Sequence, residues 1–308
     1  MRIALLASAE FALPTLAALL SAGHEVVVGT QPARPAGRGR QPQSTPVALR
    51  AAGLGAGSTE LEDVNAPEGL HFLSEARPDL IVVVAFGQKL GAAVRAAAPW
   101  GCVNLHPSLL PRWRGAAPVP AAILAGDRHT GVCVIDVVER MDAGDILASR
   151  RTTTAGKTAG ELLAELGESG ASLLLEVIDS MARGDLRRRP QDESQVTRAR
   201  KLVPDDGRIR WEHSGDEVDR RVRATTPRPG AFTLLPDGVR ISVLAGQPMV
   251  CERGHLPGEI LERDDGLVVA CGKDAYRILR LQREGRRALN VTDYLRGAPI
   301  APGSRLGP

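Results

Sequence analysis

The chain has 308 residues, enough for two domains or one large one, and its 43% hydrophobic and 24% charged content excludes a fibrous repeat or a disordered tail. Four cysteines without a CxxC pair exclude a structural zinc motif and a disulfide framework, which points to reduced thiols and a cytoplasmic protein. The net charge of +3 is too small to announce a nucleic-acid binder by itself, although 35 Arg stand against 4 Lys.

Met1-Arg2 and the apolar residues 3–7 begin like a signal peptide, but Glu10 breaks the run and Pro14 follows, so a strand, a turn and a helix are expected instead. The densest apolar run elsewhere, residues 80–86, is far short of the ~20 that a membrane span needs. Apolar runs predict strands over residues 3–7, 26–29, 80–85, 102–105 and 132–137. Three- and four-residue spacing predicts helices over 11–20, 67–76, 90–97 and 116–125. Strands alternating with helices imply an α/β fold, a Rossmann-like and mostly parallel sheet covered on both faces.

A long helix is predicted over 158–182, capped by Thr158 and stopped by Gly184. Arg187-Arg188-Arg189-Pro190 and the polar residues after it read as an exposed linker. Beyond Trp211 a short helix over 215–224 is ended by Pro227-Arg228-Pro229-Gly230. Strands are predicted over 231–235, 240–244, 267–271 and 275–281, with Asp237-Gly238 and Asp265-Gly266 as turns and a closing helix over 291–295. The expected organisation is a first domain 1–189, a linker 190–207, and a small β-barrel or sandwich 208–308.

Three apparent motifs fail on context. Gly53-Leu54-Gly55-Ala56-Gly57 follows a helical stretch and opens no helix, so it is no dinucleotide loop. Gly156-Lys157-Thr158 has Arg151 where a phosphate loop has its first glycine. Gly167-Glu168-Ser169-Gly170 has Ala171 where a nucleophile elbow has its second glycine. No histidine shows metal-ligand spacing, and no metal is expected.

The stretch from Gly101 to Leu147 is different. Asn104 and His106 sit two apart at the end of a predicted strand and share one face, and Pro107 restricts His106 to an extended backbone. In an open parallel sheet, ligands bind outside the carboxyl ends of the strands. A polar strand end that bonds only to the next loop is the competing reading of this pair, and an ordinary turn is that of Asp142-Ala143-Gly144. Together the three polar residues suit attack on a carbonyl-like carbon. The amide donates to a developing oxyanion, the imidazole moves protons near neutral pH, and the carboxylate fixes the imidazole's charge or orders a water.

Asn104-x-His106 with Ser108-Leu109-Leu110-Pro111, followed by Asp142-x-Gly144, resembles the folate-dependent formyltransferases. So do Arg112-Trp113-Arg114-Gly115-Ala116-Ala117-Pro118, Gly126-Asp127 and Thr130-Gly131. Within that superfamily, Thr30-Gln31-Pro32, Arg34-Pro35-Ala36-Gly37-Arg38-Gly39 and Ile209-x-Trp211-x-x-Ser214 resemble the methionyl-tRNA formyltransferases. The resemblance implies catalytic Asn104, His106 and Asp142. It implies a folate site at Ser108, Leu109, Leu110 and Pro111, helped by the backbone near Phe86 and Gly87. It further implies 10-formyltetrahydrofolate as formyl donor, tetrahydrofolate as product, initiator methionyl-tRNA as acceptor and partner, and an OB-like barrel as C-terminal domain.

The resemblance also implies that the loop over residues 30–45 reaches the acceptor stem of the tRNA, with Arg38 its foremost contact beside Arg34 and Arg40, and the residues support that loop independently. Between Thr30 and Thr45, Arg34, Arg38 and Arg40 have no acidic neighbour, and arginine forks suit phosphates and base edges. Five prolines and glycines predict irregular structure there. The chain departs from the family pattern in three places: Ala7-Ser8-Ala9 replaces Gly-Thr-Pro, Ala33 replaces an aspartate, and Phe86 replaces a tyrosine. Two rival readings keep the central motif: formyl transfer to an amino sugar nucleotide, and hydrolysis of the donor. A third is a tRNA-binding protein without activity. No apolar stripe suggests self-association, so a monomer is expected, with no membrane association.

Overall fold

The computed structural model describes residues 1–36, 41–252, 254–261 and 266–307. The chain divides into two compact units. The first gathers Met1–Pro118, His129–Thr153 and Leu163–Ala199; the second gathers Val119–Arg128, Thr154–Leu162 and Arg200–Pro308.

The first unit opens with β1 (Arg2–Ala7), α1 (Leu13–Ser21) and β2 (Glu25–Thr30). A ribbon of β3 (Arg34–Ala36) and β4 (Gln41–Gln43) follows, then α2 (Pro46–Gly53), β5 (Ser58–Glu60), α3 (Pro67–Ala76), β6 (Leu80–Val84), α4 (Ala92–Arg95) and β7 (Cys102–His106). After β8 (Arg114–Gly115) and α5 (Pro118–Leu124), which but for Pro118 is counted in the second unit, come β9 (His129–Asp136), β10 (Ile146–Thr153), α6 (Ala159–Arg183), counted in the first unit from Leu163 on, and β11 (Arg198–Ala199).

Among the described residues, seven strands form one sheet in the order β10-β9-β7-β6-β1-β2-β5. The pairs from β7 to β5 are parallel, and β9 and β10 add to that edge antiparallel. Ile3 to Ala7 and Leu80 to Val84 are buried throughout, as befits strands covered on both faces. Each Leu, Ile or Val side chain so buried contributes about 1.5–3 kcal/mol. The crossovers bring the carboxyl ends of β1, β6 and β7 to one edge, and the site is built there.

The expected helix over 90–97 shrinks to one turn, α4. Several elements were not anticipated, among them α2 and β10. Helix α2 begins where the Thr45 hydroxyl accepts the Ala48 amide at 3.2 Å, with Pro46 in the first turn. Strand β10 places Arg150, Arg151 and Thr152 against β9.

The loop expected to be irregular carries a short antiparallel ribbon, with Arg34 opposite Gln43, Pro35 opposite Pro42 and Ala36 opposite Gln41. Two prolines fit because a directly opposed pair can be the one that exchanges no hydrogen bonds, leaving the ladder to the flanking pairs. The stretch 190–199, expected as linker, is packed into the first unit, where β11 runs parallel to β8.

The second unit holds α7 (Gly215–Thr225), which opens on a capping box: the Ser214 hydroxyl donates to Glu217 Oε2 at 2.7 Å and accepts its amide. Strands β12 (Ala231–Leu234), β13 (Arg240–Met249), β14 (Ile260–Leu261), β15 (Leu267–Ala270), β16 (Ala275–Arg283) and β17 (Ala288–Asn290) precede α8 (Val291–Gly297). Among the described residues they form a curled antiparallel sheet, β12-β13-β16-β15-β14, with β17 on β16. Asp265 of the expected Asp265-Gly266 turn lies outside the described residues.

Strand β13 runs five residues beyond its expected end, and register shifts near Ala245 bend it. The tail then closes the barrel. The Gly307 amide donates to Leu234 O on one edge at 2.9 Å, and the Leu306 amide to Gly258 O beside the other at 2.8 Å. Trp211, Tyr276, Ile278, Val243 and Leu281 fill the interior.

Candidate active site

Asn104 and His106 lie on β7, with Asn104 opposite Ile135 and His106 opposite Cys133 of β9. Both project from one face at the strand's carboxyl end. The Asn104 side-chain amide is partly exposed and, among the described residues, has no hydrogen-bond partner in the chain. Of the pair, His106 bonds the next loop, through Trp113 O, and Asn104 does not.

His106 is buried, and its Nε2 lies 3.0 Å from Trp113 O. A carbonyl only accepts, so Nε2 carries a hydrogen and donates it. Nδ1, the other ring nitrogen, faces Asp142 Oδ1 at 3.7 Å. The other oxygen of that carboxylate, Oδ2, accepts the Gly115 amide at 2.8 Å.

Strained backbone marks the same edge. Four non-glycine residues have positive φ among the described residues: Arg77, which ends α3, and Ala85, Trp113 and Asp142, which border the site. Ala85 directly follows β6, and Trp113 and Asp142 hold the two sides of His106. Such backbone costs energy and persists where the surroundings over-determine it. The Asp142 turn closes on Gly144, where an added Cβ would sit 1.8 Å from Asp136 O. No sequence pattern signalled these left-handed residues, because none is a glycine.

The expected folate residues are placed less uniformly. Ser108 is fully buried and its hydroxyl donates to Arg112 O at 2.7 Å. Leu110 packs with Cys133, Ile135 and Ile146, and the Phe86 ring lies in the sheet's core. Leu109, Pro111 and Gly87 retain exposure. Ser108, Leu110 and Phe86 thus shape the site through backbone and packing, with their side chains turned inward.

The Ala7-Ser8-Ala9 turn needs no positive φ; the Ser8 hydroxyl accepts the Gln31 amide at 3.0 Å, and Gln31 Nε2 donates to Phe86 O at 2.8 Å. Of the expected tRNA residues, Arg34 is exposed on β3, while Arg38 and Arg40 lie outside the described residues. Among the described residues no three His, Cys, Asp or Glu side chains stand together as a metal site, and no helix is long and apolar enough to cross a membrane.

Gln191, Glu193 and Thr197 were missed. Gln191 Nε2 donates to Asp142 O at 2.8 Å and Gly144 O at 2.7 Å, and Thr197 Oγ1 accepts the Trp113 amide at 2.9 Å. Gln191 and Thr197 act on the backbone of distant loops and Glu193 on the Arg114 guanidinium, which no local spacing encodes.

Two family models match the chain, one described as formyl transferase over residues 1–178 and one as formyl transferase, C-terminal domain, over 201–299. The chain is 40% identical to a methionyl-tRNA formyltransferase of Parvibaculum lavamentivorans, over 98% of this chain and 99% of that one. It is 43% identical to a methionyl-tRNA formyltransferase of Novosphingobium aromaticivorans, over 100% of both. The chain belongs to the methionyl-tRNA formyltransferase family. Its fold is also that of HypX from Aquifex aeolicus, solved in complex with tetrahydrofolic acid, with a TM-score of 0.66 and 22% identity over 96% of this chain and 47% of HypX. This member of the formyltransferase family thus spans about half the length of HypX.

Proposed function

We propose that the protein transfers the formyl group of 10-formyltetrahydrofolate to the α-amino group of methionine on charged initiator tRNA, working in the cytoplasm as a monomer. The observation that carries the chemistry is an Asn104 amide, unpartnered among the described residues, beside the pair of buried His106 and partly buried Asp142 at the carboxyl end of β7. The choice of acceptor rests on the relatives, which match the chain from end to end under that name.

The neutral amine attacks the formyl carbon, forming the new C–N bond and a tetrahedral oxyanion. Asn104 donates to that oxygen as its charge develops. Collapse breaks the bond from the formyl carbon to the donor's nitrogen, which leaves as tetrahydrofolate after taking up a proton. The attacking nitrogen loses its proton toward His106 Nδ1. The 3.7 Å gap to Asp142 is too long for a direct hydrogen bond, so the carboxylate acts on the ring as a nearby charge. The Asp142 carboxylate stabilises the imidazolium that forms.

Arg34, Arg38 and Arg40 are the proposed contacts to the acceptor stem. The first unit carries the transfer chemistry, and the curled sheet of the second binds tRNA. The test is to incubate the protein with 10-formyltetrahydrofolate and either charged initiator or charged elongator methionyl-tRNA, and to quantify N-formylmethionine. The expected result is formylation of the initiator tRNA, weakened when the three arginines become alanine. Formylation of an amino sugar nucleotide but of neither tRNA would overturn the reading.

A further inference from the structure

The segment Gln191–Ala199 lies between the two stretches matched by the family models, 1–178 and 201–299. It nevertheless holds both partners of His106. Gln191 spends its whole side-chain amide on this task. Its NH2 group donates to Asp142 O at 2.8 Å and to Gly144 O at 2.7 Å, on both sides of the turn that presents the carboxylate. Its oxygen accepts from Arg114 Nε at 3.1 Å and Nη2 at 2.8 Å. The orientation is fixed by chemistry, since carbonyls only accept and a guanidinium only donates.

Arg114 is itself buried, and Glu193 neutralises it at 2.9 Å. The Arg114 amide donates to Thr197 O at 3.0 Å and the Ala116 amide to Ala199 O at 2.8 Å, which registers β8 on β11. Between these two bonds sits Gly115, whose amide holds Asp142 Oδ2. An added Cβ at Gly115 would stand 2.5 Å from Ala199 O, so the two strands meet without room for a side chain.

We infer that Gln191, anchored by Arg114, is a positioning residue that sets the Asp142 carboxylate against His106. The inference rests on the proposed roles of His106 and Asp142. Asp142 has φ +54°, a conformation that a non-glycine residue keeps only when it is tethered. The Gln191 amide is the tether on both sides of the turn. Without it the turn relaxes, and the carboxylate leaves the position it takes 3.7 Å from Nδ1.

The test compares full-length Q191A, Q191E, D142A and Q191A/D142A with wild type, measuring kcat, KM for charged initiator tRNA, and thermal midpoint. Q191E keeps an acceptor for Arg114 but turns both donors into a carboxylate oxygen facing two carbonyls, so it probes the tether if Q191A folds poorly. The expected result is a kcat lowered by about 10- to 100-fold in both single variants, with KM for tRNA and the thermal midpoint near wild type. In the D142A background, Q191A costs less than about threefold more, because a residue acting through Asp142 has nothing left to position.

A slow D142A with a full-speed Q191A and Q191E overturns the inference and leaves the site assignment standing. So does a Q191A penalty that is the same with or without Asp142, the signature of general destabilisation. A D142A enzyme as fast as wild type overturns the site assignment, and the inference with it.

Discussion

His106 meets Asp142 across 3.7 Å on its Nδ1 side, while its Nε2 is committed to Trp113 O at 3.0 Å. One ring nitrogen is thus pinned to the backbone, and in the proposed mechanism the moving proton comes and goes at the other. Asp142→Asn keeps an acceptor for the Gly115 amide but replaces the charge that faces Nδ1. Its kcat is expected to fall by about 10²- to 10⁴-fold, by the logic of a carboxylate that orients and stabilises an imidazolium. Steady-state formylation rates beside a thermal melt check this, and the melt is expected near wild type.

Asn104 is the one member of the trio whose side chain has no partner among the described residues. Removing it in Asn104→Ala disturbs no side-chain hydrogen bond among the described residues, so stability should be kept. Loss of an oxyanion donor is expected to lower kcat by about 10²- to 10³-fold with little change in KM for tRNA.

Gly144→Ala attacks the same turn by steric means. The new Cβ would lie 1.8 Å from Asp136 O, a backbone atom that cannot swing aside. The turn must open, with an expected loss of about 1–3 kcal/mol in urea unfolding and a severe loss of activity. A variant with wild-type stability and rate would show that the turn is looser than described.

In the second unit, Trp211 Nε1 donates to Thr233 Oγ1 at 3.1 Å, and that hydroxyl donates to Gly307 O at 3.1 Å. Thr233→Val keeps the shape and leaves a buried indole N–H and the tail carbonyl unpaired. The expected cost is about 1–3 kcal/mol, measured by chemical denaturation. Because the tail stitches the sheet's two edges, limited proteolysis should also reach the C-terminus sooner.

Burial pushes the thiols of Cys102 and Cys271 up to about 12 and that of Cys133 up to about 11, from an ordinary 9.0. Burial, reinforced by Asp219, raises Tyr276 as well. Each group keeps its proton longer in the folded chain than in the unfolded one. Above pH 9 the unfolded state therefore binds fewer protons, and stability falls as pH rises; below pH 9 the thiol contribution is fully present. Urea midpoints measured across the alkaline range should show this decline. In native protein at pH 8, a thiol reagent is expected to label partly exposed Cys251 well before the other three.

The α/β layer was legible because β1 and β6 are unbroken apolar runs, and Asn104 and His106 stood out as polar residues closing such a run before Pro107. Strand β10 was not, because an edge strand carrying Arg150 and Arg151 has no apolar run to read. The Arg34–Ala36 ribbon was hidden by prolines that a two-stranded ladder tolerates. The tail that closes the barrel and the Gln191 tether each rest on a few hydrogen bonds between distant residues, and such bonds leave no period in a sequence. Asp142 was visible as a residue, but the strained turn that aims it was not.

The central claim is that His106, set by Asp142, moves the proton of formyl transfer. Its most direct test is single-turnover formation of N-formylmethionyl-tRNA by His106→Ala, with saturating folate donor and tRNA affinity measured on the same samples. The account predicts a rate at least about 10²-fold below wild type with unchanged tRNA affinity. A rate near wild type would contradict it.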